Sequence, residues 1–188
     1  YLQITRGIAD RDFAFPAGIT SSIVAFASVL NLISNPAAES GIPVITTPDL
    51  RWKRRDIKSD NLLGQVLAKQ DAYSRGGKEG WMVEDGVITE GVSSSAYIVK
   101  DNVIITRPLS NEILPGIRRR TLLELCSAES IKLEQRLFTL DEALAADEAA
   151  RHKPNHVATT ATPSGNGFKL NGVKGFVLDG ATADTLIV

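Results

Sequence analysis

Apolar and polar positions alternate with period two over Tyr1-Leu-Gln-Ile-Thr5, which predicts a strand. Gly7 and the stretch Asp10 to Phe15 predict a loop closed by Pro16, and Ser22 to Leu32 is a second apolar, β-branched run. Asn35-Pro36 with Gly41 and Pro43 marks a turn region, and Val44-Ile-Thr-Thr47 is a short strand ended by Pro48. From Asn61 the period lengthens. Leu62, Leu63, Val66, Leu67 and Gln70 recur at helical spacing until Gly76-Gly77. Trp81 to Val83, Gly86 to Thr89, Ala96 to Val99 and Val103 to Thr106 are short β-like runs separated by Asp-Gly, Glu-Gly and Asp-Asn, a pattern that predicts a meander. Ile117 to Ser127 reads as a helix with Leu122, Leu123, Leu125 and Cys126 apolar. Thr139, with Glu142 three residues on, predicts a capping box opening a helix from Leu140 to Ala150. After Arg151 come turns and strands: Ser164-Gly-Asn-Gly167, Phe168 to Leu170, Asn171-Gly172, Phe176 to Leu178 and Thr185 to Val188.

The fold class this predicts is α+β, a mixed β-meander or barrel-like core with flanking helices and an extra β-hairpin tail. At 188 residues the chain is long enough for one or two domains with a real core. A net charge of -1 offers no electrostatic footprint for nucleic acid or an anionic membrane. The longest apolar stretch, Ile23 to Ile33, is interrupted by Ser28 and Asn31 and is too short to span a bilayer. The single Cys126 excludes an internal disulfide framework and suits a reducing cytoplasm. His152 and His156 flank Pro154, so they cannot form a regular zinc-binding helix, and no metal is expected. A chain that opens inside a strand at Tyr1, with no basic leader and no initiator methionine, reads as a piece of a longer protein without a signal peptide.

Candidate chemistry begins in the loop before the first long helix. Arg51, Lys53, Arg54 and Arg55 lie within seven positions of Lys58. If they faced one cavity with it, they would favour the neutral amine that an aldehyde cofactor needs for a Schiff base. Such a cofactor also needs a carboxylate for its ring nitrogen and backbone N–H groups for its phosphate. Lys58, Glu90 in Thr89-Glu-Gly91, and Gly116-Ile-Arg118 opening a helix offer these in order. Taken singly, each has an ordinary reading: a surface lysine, a hairpin glutamate, a loop hinge.

Together with their surroundings these segments resemble the class IV (fold type IV) pyridoxal-phosphate aminotransferases, most closely the D-amino-acid aminotransferases. Arg51-Trp-Lys-Arg-Arg-Asp-Ile-Lys58-Ser with Asn61 to Gln70 is similar to the cofactor-lysine segment. Thr89-Glu-Gly-Val-Ser-Ser-Ser-Ala-Tyr-Ile-Val99 is similar to the segment whose glutamate meets the pyridine nitrogen, and Asn111 to Arg119 to the phosphate-binding turn and helix. Tyr1 to Gly7 and Arg11 to Pro16 match the strand and loop that help to bind the substrate carboxylate. The likeness runs from Tyr1 to about Ala149. It implies a D-amino-acid-aminotransferase-like fold, here incomplete, with pyridoxal 5'-phosphate as cofactor. It also implies an amino acid and a 2-oxo acid as substrates, and a homodimer.

By the resemblance, Lys58 is the catalytic lysine that holds the cofactor and shuttles the proton. Glu90 holds the pyridinium proton, Ser93 and Ser94 line the cofactor, and Leu114 packs on its ring. Gly116, with the backbone of Ile117 and Arg118, cradles the phosphate, and Arg11 and Phe13 belong to the substrate site. Three positions depart from the family pattern: Ser95 for Asn, Arg118 for Thr, and Phe13 for a histidine of the D-amino-acid carboxylate trap. The last leaves the choice between D- and L-substrates open.

Past about residue 150 the likeness changes. Arg151 to Ala161, Gly167 to Gly180 and Ala183 to Val188 resemble the middle β-domain of the flavin-dependent acyl-CoA dehydrogenases. The expected organisation is therefore a remnant of an N-terminal α/β domain (1–45), a cofactor-binding domain (46–149) and a β-rich segment (150–188) that reads as a join between unrelated coding segments. An alternative role for that segment is simply a hairpin that completes a β-layer. The readings of function that follow are transamination, a truncated or chimeric non-catalytic protein, and a flavin (FAD) acyl-CoA dehydrogenase fragment.

Overall fold

The computed structural model describes residues 1–29, 37, 40–146, 160–164 and 167–171. The chain divides into two compact units, Tyr1–Asn31 and Leu32–Val188. In the first, β1 (Leu2–Thr5) pairs antiparallel with β2 (Ser22–Ala25), Leu2 opposite Ala25 and Thr5 opposite Ser22. Of the apolar run expected from Ser22 to Leu32, Ser22–Ala25 is strand, Phe26 N–H donates to Tyr1 O at 3.0 Å, and residues 30–32 lie outside the described residues. Tyr1 and Phe26 stack there with ring centroids 4.9 Å apart.

Among its described residues the second unit forms two sheets. β3 (Val44–Pro48) and β4 (Glu79–Glu84) are parallel neighbours joined by helix α1 (Leu63–Ser74), and β5 (Val87–Gly91) returns antiparallel to β4. A parallel pair needs such a crossover. In the other sheet β6 (Tyr97–Lys100) and β7 (Val103–Thr106) form a hairpin, and helix α2 (Ile117–Ala128) crosses over to β8 (Leu133–Gln135), parallel to β7. The four β-like runs expected as one meander are thus two hairpins in two sheets. Asp85-Gly86 (φ 51° and 78°) and Asp101-Asn102 (φ 52° and 61°) turn them with the left-handed backbone that two-residue hairpin loops favour. The three-residue strand β8 carries no alternation long enough to read from sequence.

Val44, Trp81 and Ile88 from one sheet are buried with Ile98 and Ile105 from the other, together with Ala96 and Phe138. Trp81 meets Phe138 edge-on at 6.1 Å. The apolar stripe of α1 points elsewhere: Leu63, Val66 and Leu67 are exposed, and the small Ala68 and Ala72 lie buried. Helix α3 (Leu140–Leu144) is shorter than expected, stopping at the Ala145 cap. Only half of its capping box forms. Thr139 Oγ1 accepts from Glu142 N–H at 3.1 Å, while the Glu142 carboxylate is taken by Arg136 at 2.5 and 3.0 Å.

Two further strands, β9 (Thr160–Ser164) and β10 (Gly167–Asn171), form an antiparallel hairpin, and β10 pairs with β3, giving the order β5-β4-β3-β10-β9. A hairpin of the tail therefore does extend a β-layer. His152, His156 and the strands expected after Asn171 lie outside the described residues.

Candidate active site

The site grows from the exit of β3. Pro48 ends the strand, but Asp49 N–H still donates to Val83 O at 2.9 Å, so Asp49 leaves the sheet in a fixed position. Two residues on, Arg51 turns back: its backbone N–H and Nε donate to Asp49 Oδ1 (3.2 and 2.9 Å), and Nη2 donates to Oδ2 (2.7 Å). The outer edge of the same guanidinium, Nη1, donates to Glu90 Oε1. Glu90 sits near the end of β5 with 5% of its surface exposed, and it also receives the Leu114 N–H (3.2 Å to Oε2, 3.3 Å to Oε1). The carboxylate thus ties β5 to the loop before β3's crossover helix and to the loop before α2. Burial pushes the Glu90 carboxyl up, and Arg51 and the Leu114 N–H recover only part of that shift. Asp49 moves the other way. Burial raises it, but the Arg51 fork, the Thr89 hydroxyl (2.7 Å) and the Arg55 charge together hold it below its ordinary value.

The cations expected to crowd Lys58 do something else. Arg51 pairs with Asp49 and Glu90, Lys53 with Glu84, Arg54 with Asp56 at 2.9 Å, and Arg55 with Glu84 at 2.7 Å and Asp49 at 3.4 Å. Each charge is matched by a carboxylate: the buried Arg51 and Arg55 need such a partner to remain charged, whereas Lys53 and Arg54 pair at the exposed surface. Glu84, held first by Arg55 and then by Lys53, is pulled down to about 2. Lys58 itself lies in the exposed loop ahead of α1, three residues beyond Arg55, whose N–H donates to Asn111 O at 2.9 Å. That bond draws the lysine loop to the loop containing Leu114.

The remaining predicted residues separate into groups. Ser93 is exposed, with its hydroxyl on Glu79 Oε2 at 3.0 Å. Ser94 Oγ is buried without a hydrogen-bond partner, packed so close to Gly91 that a Cβ there would lie 2.0 Å from it. Gly116, extended at φ -62° and ψ 141°, is the N-cap of α2, and no side chain caps the helix. Its first turn has no acid and instead carries Arg118, Arg119 and Arg120, so the positive helix end is reinforced rather than offset. Arg11 and Phe13 belong to the first unit, both exposed, with the guanidinium 5.5 Å from the ring centroid.

Several contributors had no clear signal in sequence. Asp49 and Arg51 are spaced i, i+2, which puts two side chains on one side of an extended segment, but such pairs are common on surfaces. Arg107 and Arg119 are buried and anchor the turn before α2: Arg119 Nη2 donates to Arg107 O (2.9 Å) and Gln135 Oε1 (2.8 Å), and Arg107 reaches Ile88 O and Glu112. Burial lowers the Arg119 guanidinium. Arginines in polar stretches read as solvated, and only the fold buries them. Among the described residues no cluster could hold a metal ion, and no helix is long and apolar enough to cross a membrane.

Glu90 on β5, the loop that carries Lys58 and the uncapped start of α2 thus belong to neighbouring segments, tied by the Leu114 N–H to Glu90 and by the Arg55 N–H to Asn111 O. Residues 1–150 match the amino-transferase class IV family, and the chain belongs to it. It is similar to the D-alanine aminotransferase of Bacillus licheniformis, 43% identical over 150 residues, which are 79% of this chain and 52% of that protein. The D-alanine aminotransferase of Staphylococcus epidermidis is 41% identical over 149 residues, with the same shares. The crystal structure of Escherichia coli branched-chain amino acid aminotransferase superposes with a TM-score of 0.67 at 27% identity, covering 78% of this chain and 51% of that one. The chain spans about half the length of the curated relatives it matches. The fold is accordingly that of the fold-type IV aminotransferases, a family that depends on pyridoxal 5'-phosphate. The donor set fits that group. Glu90 Oε2 carries only the Leu114 N–H and has acceptor capacity left for a ring N–H, and the α2 start offers backbone donors to a phosphate.

Proposed function

We propose that this chain carries the cofactor site of an aminotransferase that moves an amino group between an amino acid, preferentially of the D-series, and a 2-oxo acid. The observation that carries this reading is Glu90, a buried carboxylate held by Arg51 and the Leu114 N–H at the meeting point of three chain segments. Bound pyridoxal phosphate supplies an electron sink for the electrons of the substrate Cα–H bond. The chain's residues do the rest. Lys58 holds the cofactor and moves the proton at its Nζ. Glu90 accepts the ring N–H, while Ser93, Ser94 and Leu114 line the ring. Gly116, Ile117 and Arg118 present backbone to the phosphate. Arg11, beside Phe13, receives the substrate carboxylate as a charge-assisted fork. The names of the D-alanine aminotransferases support the D-series, and the Phe13 departure is the position to vary when testing it.

The same reading includes a homodimer in the cytoplasm, supported by the family and by a lone, unpaired Cys126. It divides the chain at about 45 and 150 into a remnant of an N-terminal domain, the cofactor domain and a tail of separate descent. The end of the family match at residue 150 supports the last division. Mass spectrometry of the intact chain tests whether the tail is part of the protein.

The functional test is direct. Purified chain mixed with pyridoxal phosphate develops the visible absorbance of lysine-held cofactor, Lys58→Ala abolishes it, and D-alanine with 2-oxoglutarate yields pyruvate. No band in the unaltered chain refutes the reading, and yellow flavin absorbance would favour an acyl-CoA dehydrogenase fragment. A second reading is a cofactor-binding but non-catalytic segment. A band without turnover selects it.

A further inference from the structure

We propose that Asp49 is a positioning residue for the ring-nitrogen carboxylate: it locks Arg51 from behind and so aims that guanidinium at Glu90. The inference rests on the role given to Glu90 above. An arginine presents its donors in a rigid planar fork, so fixing one edge fixes the direction of the other. Asp49 takes the Nε and Nη2 edge at 2.9 and 2.7 Å, which leaves Nη1 facing Glu90. The side chain of Arg51 is 5% exposed and that of Asp49 not at all, so water cannot take over the restraint.

Asp49 is in turn held by the Thr89 hydroxyl at 2.7 Å and by Arg55 at 3.4 Å. Thr89 is the chain neighbour of Glu90 on β5, so the residue that holds the clamp and the clamp's target lie on one strand. The groups that act on Glu90 are therefore Arg51 and Asp49 from the loop after β3 and the Leu114 N–H from the loop before α2, while Thr89 of β5 reaches it only through Asp49. Arg55 and Glu84 stand one step further out.

This arrangement makes a prediction with a sign. As a mere negative neighbour, Asp49 disfavours the Glu90 carboxylate, so neutralising it would make Glu90 more acidic. As a positioning residue it does the opposite through Arg51. In the cofactor-free chain labelled with carboxyl-13C glutamate, the Glu90 resonance is assigned by its loss in Glu90→Gln and followed against pH. Asp49→Asn, whose amide turns a donor toward the fork, is expected to raise the Glu90 midpoint by about one pH unit. A fall or no shift overturns the proposal.

Should Asp49→Asn not fold, Arg51→Lys keeps the charge and loses the fork. The same rise is then expected, and an unmoved midpoint overturns the proposal. Failure of the chain to take up pyridoxal phosphate would defeat the functional reading while leaving this titration intact, so the two can fail separately.

Discussion

Replacing Arg51 with methionine keeps most of the side-chain volume and removes the charge that two buried carboxylates share. Asp49 retains Arg55 at 3.4 Å and the Thr89 hydroxyl at 2.7 Å, so its loss is partial. Glu90 retains only the Leu114 N–H. Removing one partner of a buried pair leaves an uncompensated charge, which costs about 3–5 kcal/mol. Against a domain stability of roughly 5–15 kcal/mol, that is a large fraction.

The pH dependence follows from Glu90. Its folded-state pKa already lies above the ordinary 4.5 and rises further without Arg51. A carboxyl raised in the folded state destabilises fully above the folded value and ceases to do so as pH falls below the unfolded one. The deficit of Arg51→Met is therefore largest at about pH 7.5 and narrows toward about pH 4. Adding Glu90→Gln removes the stranded charge and recovers at least half of the deficit at the higher pH. Urea denaturation of the unaltered chain, both single variants and the double variant, at both pH values, measures all of this. A loss below about 1 kcal/mol in Arg51→Met, or a double variant no more stable than the single, would refute the argument that Arg51 keeps Glu90 charged in a dry site.

Three other outcomes are expected. Glu84, held by Arg55 and Lys53 at about 2, contributes stability that is complete above its ordinary 4.5 and lost as pH falls through about 2. The difference between the unaltered chain and Glu84→Gln should be about 1–2 kcal/mol near neutrality after solvent screening, and should vanish in strong acid, as read from thermal unfolding against pH. Gly77→Ala puts a Cβ 2.6 Å from Ile45 Cγ1 and 3.0 Å from Ala72 O, behind the crossover helix, and should cost about 1–3 kcal/mol in a denaturant titration. Ile117→Pro removes an N–H at the first position of α2, where the helix does not use it, after a Gly116 already extended at ψ 141°. Stability should stay within about 0.5 kcal/mol. Affinity for pyridoxal phosphate, measured by absorbance titration, should fall roughly tenfold as one phosphate donor is lost.

The periodicities alone were enough for the elements that frame the site. The helical spacing after Asn61, the strand before Pro48, the left-handed turns at Asp85-Gly86 and Asp101-Asn102, and the cap at Thr139 are local rules, satisfied within a few residues of chain. The motifs around Lys58, Glu90 and Gly116 were equally legible as a family likeness, which the match over residues 1–150 shows, because a family's segments recur in fixed order along the sequence. Pairing partners were not. Which strands share a sheet depends on crossovers such as α1 and α2, so the supposed meander became two hairpins.

Burial was not legible either. Ala68 and Ala72 face inward while Leu63 and Leu67 do not, because the closeness of helix and sheet decides between small and large side chains. Charge pairing is the clearest case. The sequence determined that four cations precede Lys58, but only the tertiary structure brought Glu84 of β4 and Glu90 of β5 against them. A charge in a low-dielectric setting takes whichever opposite charge the fold delivers, and here that made Arg51 the holder of Glu90.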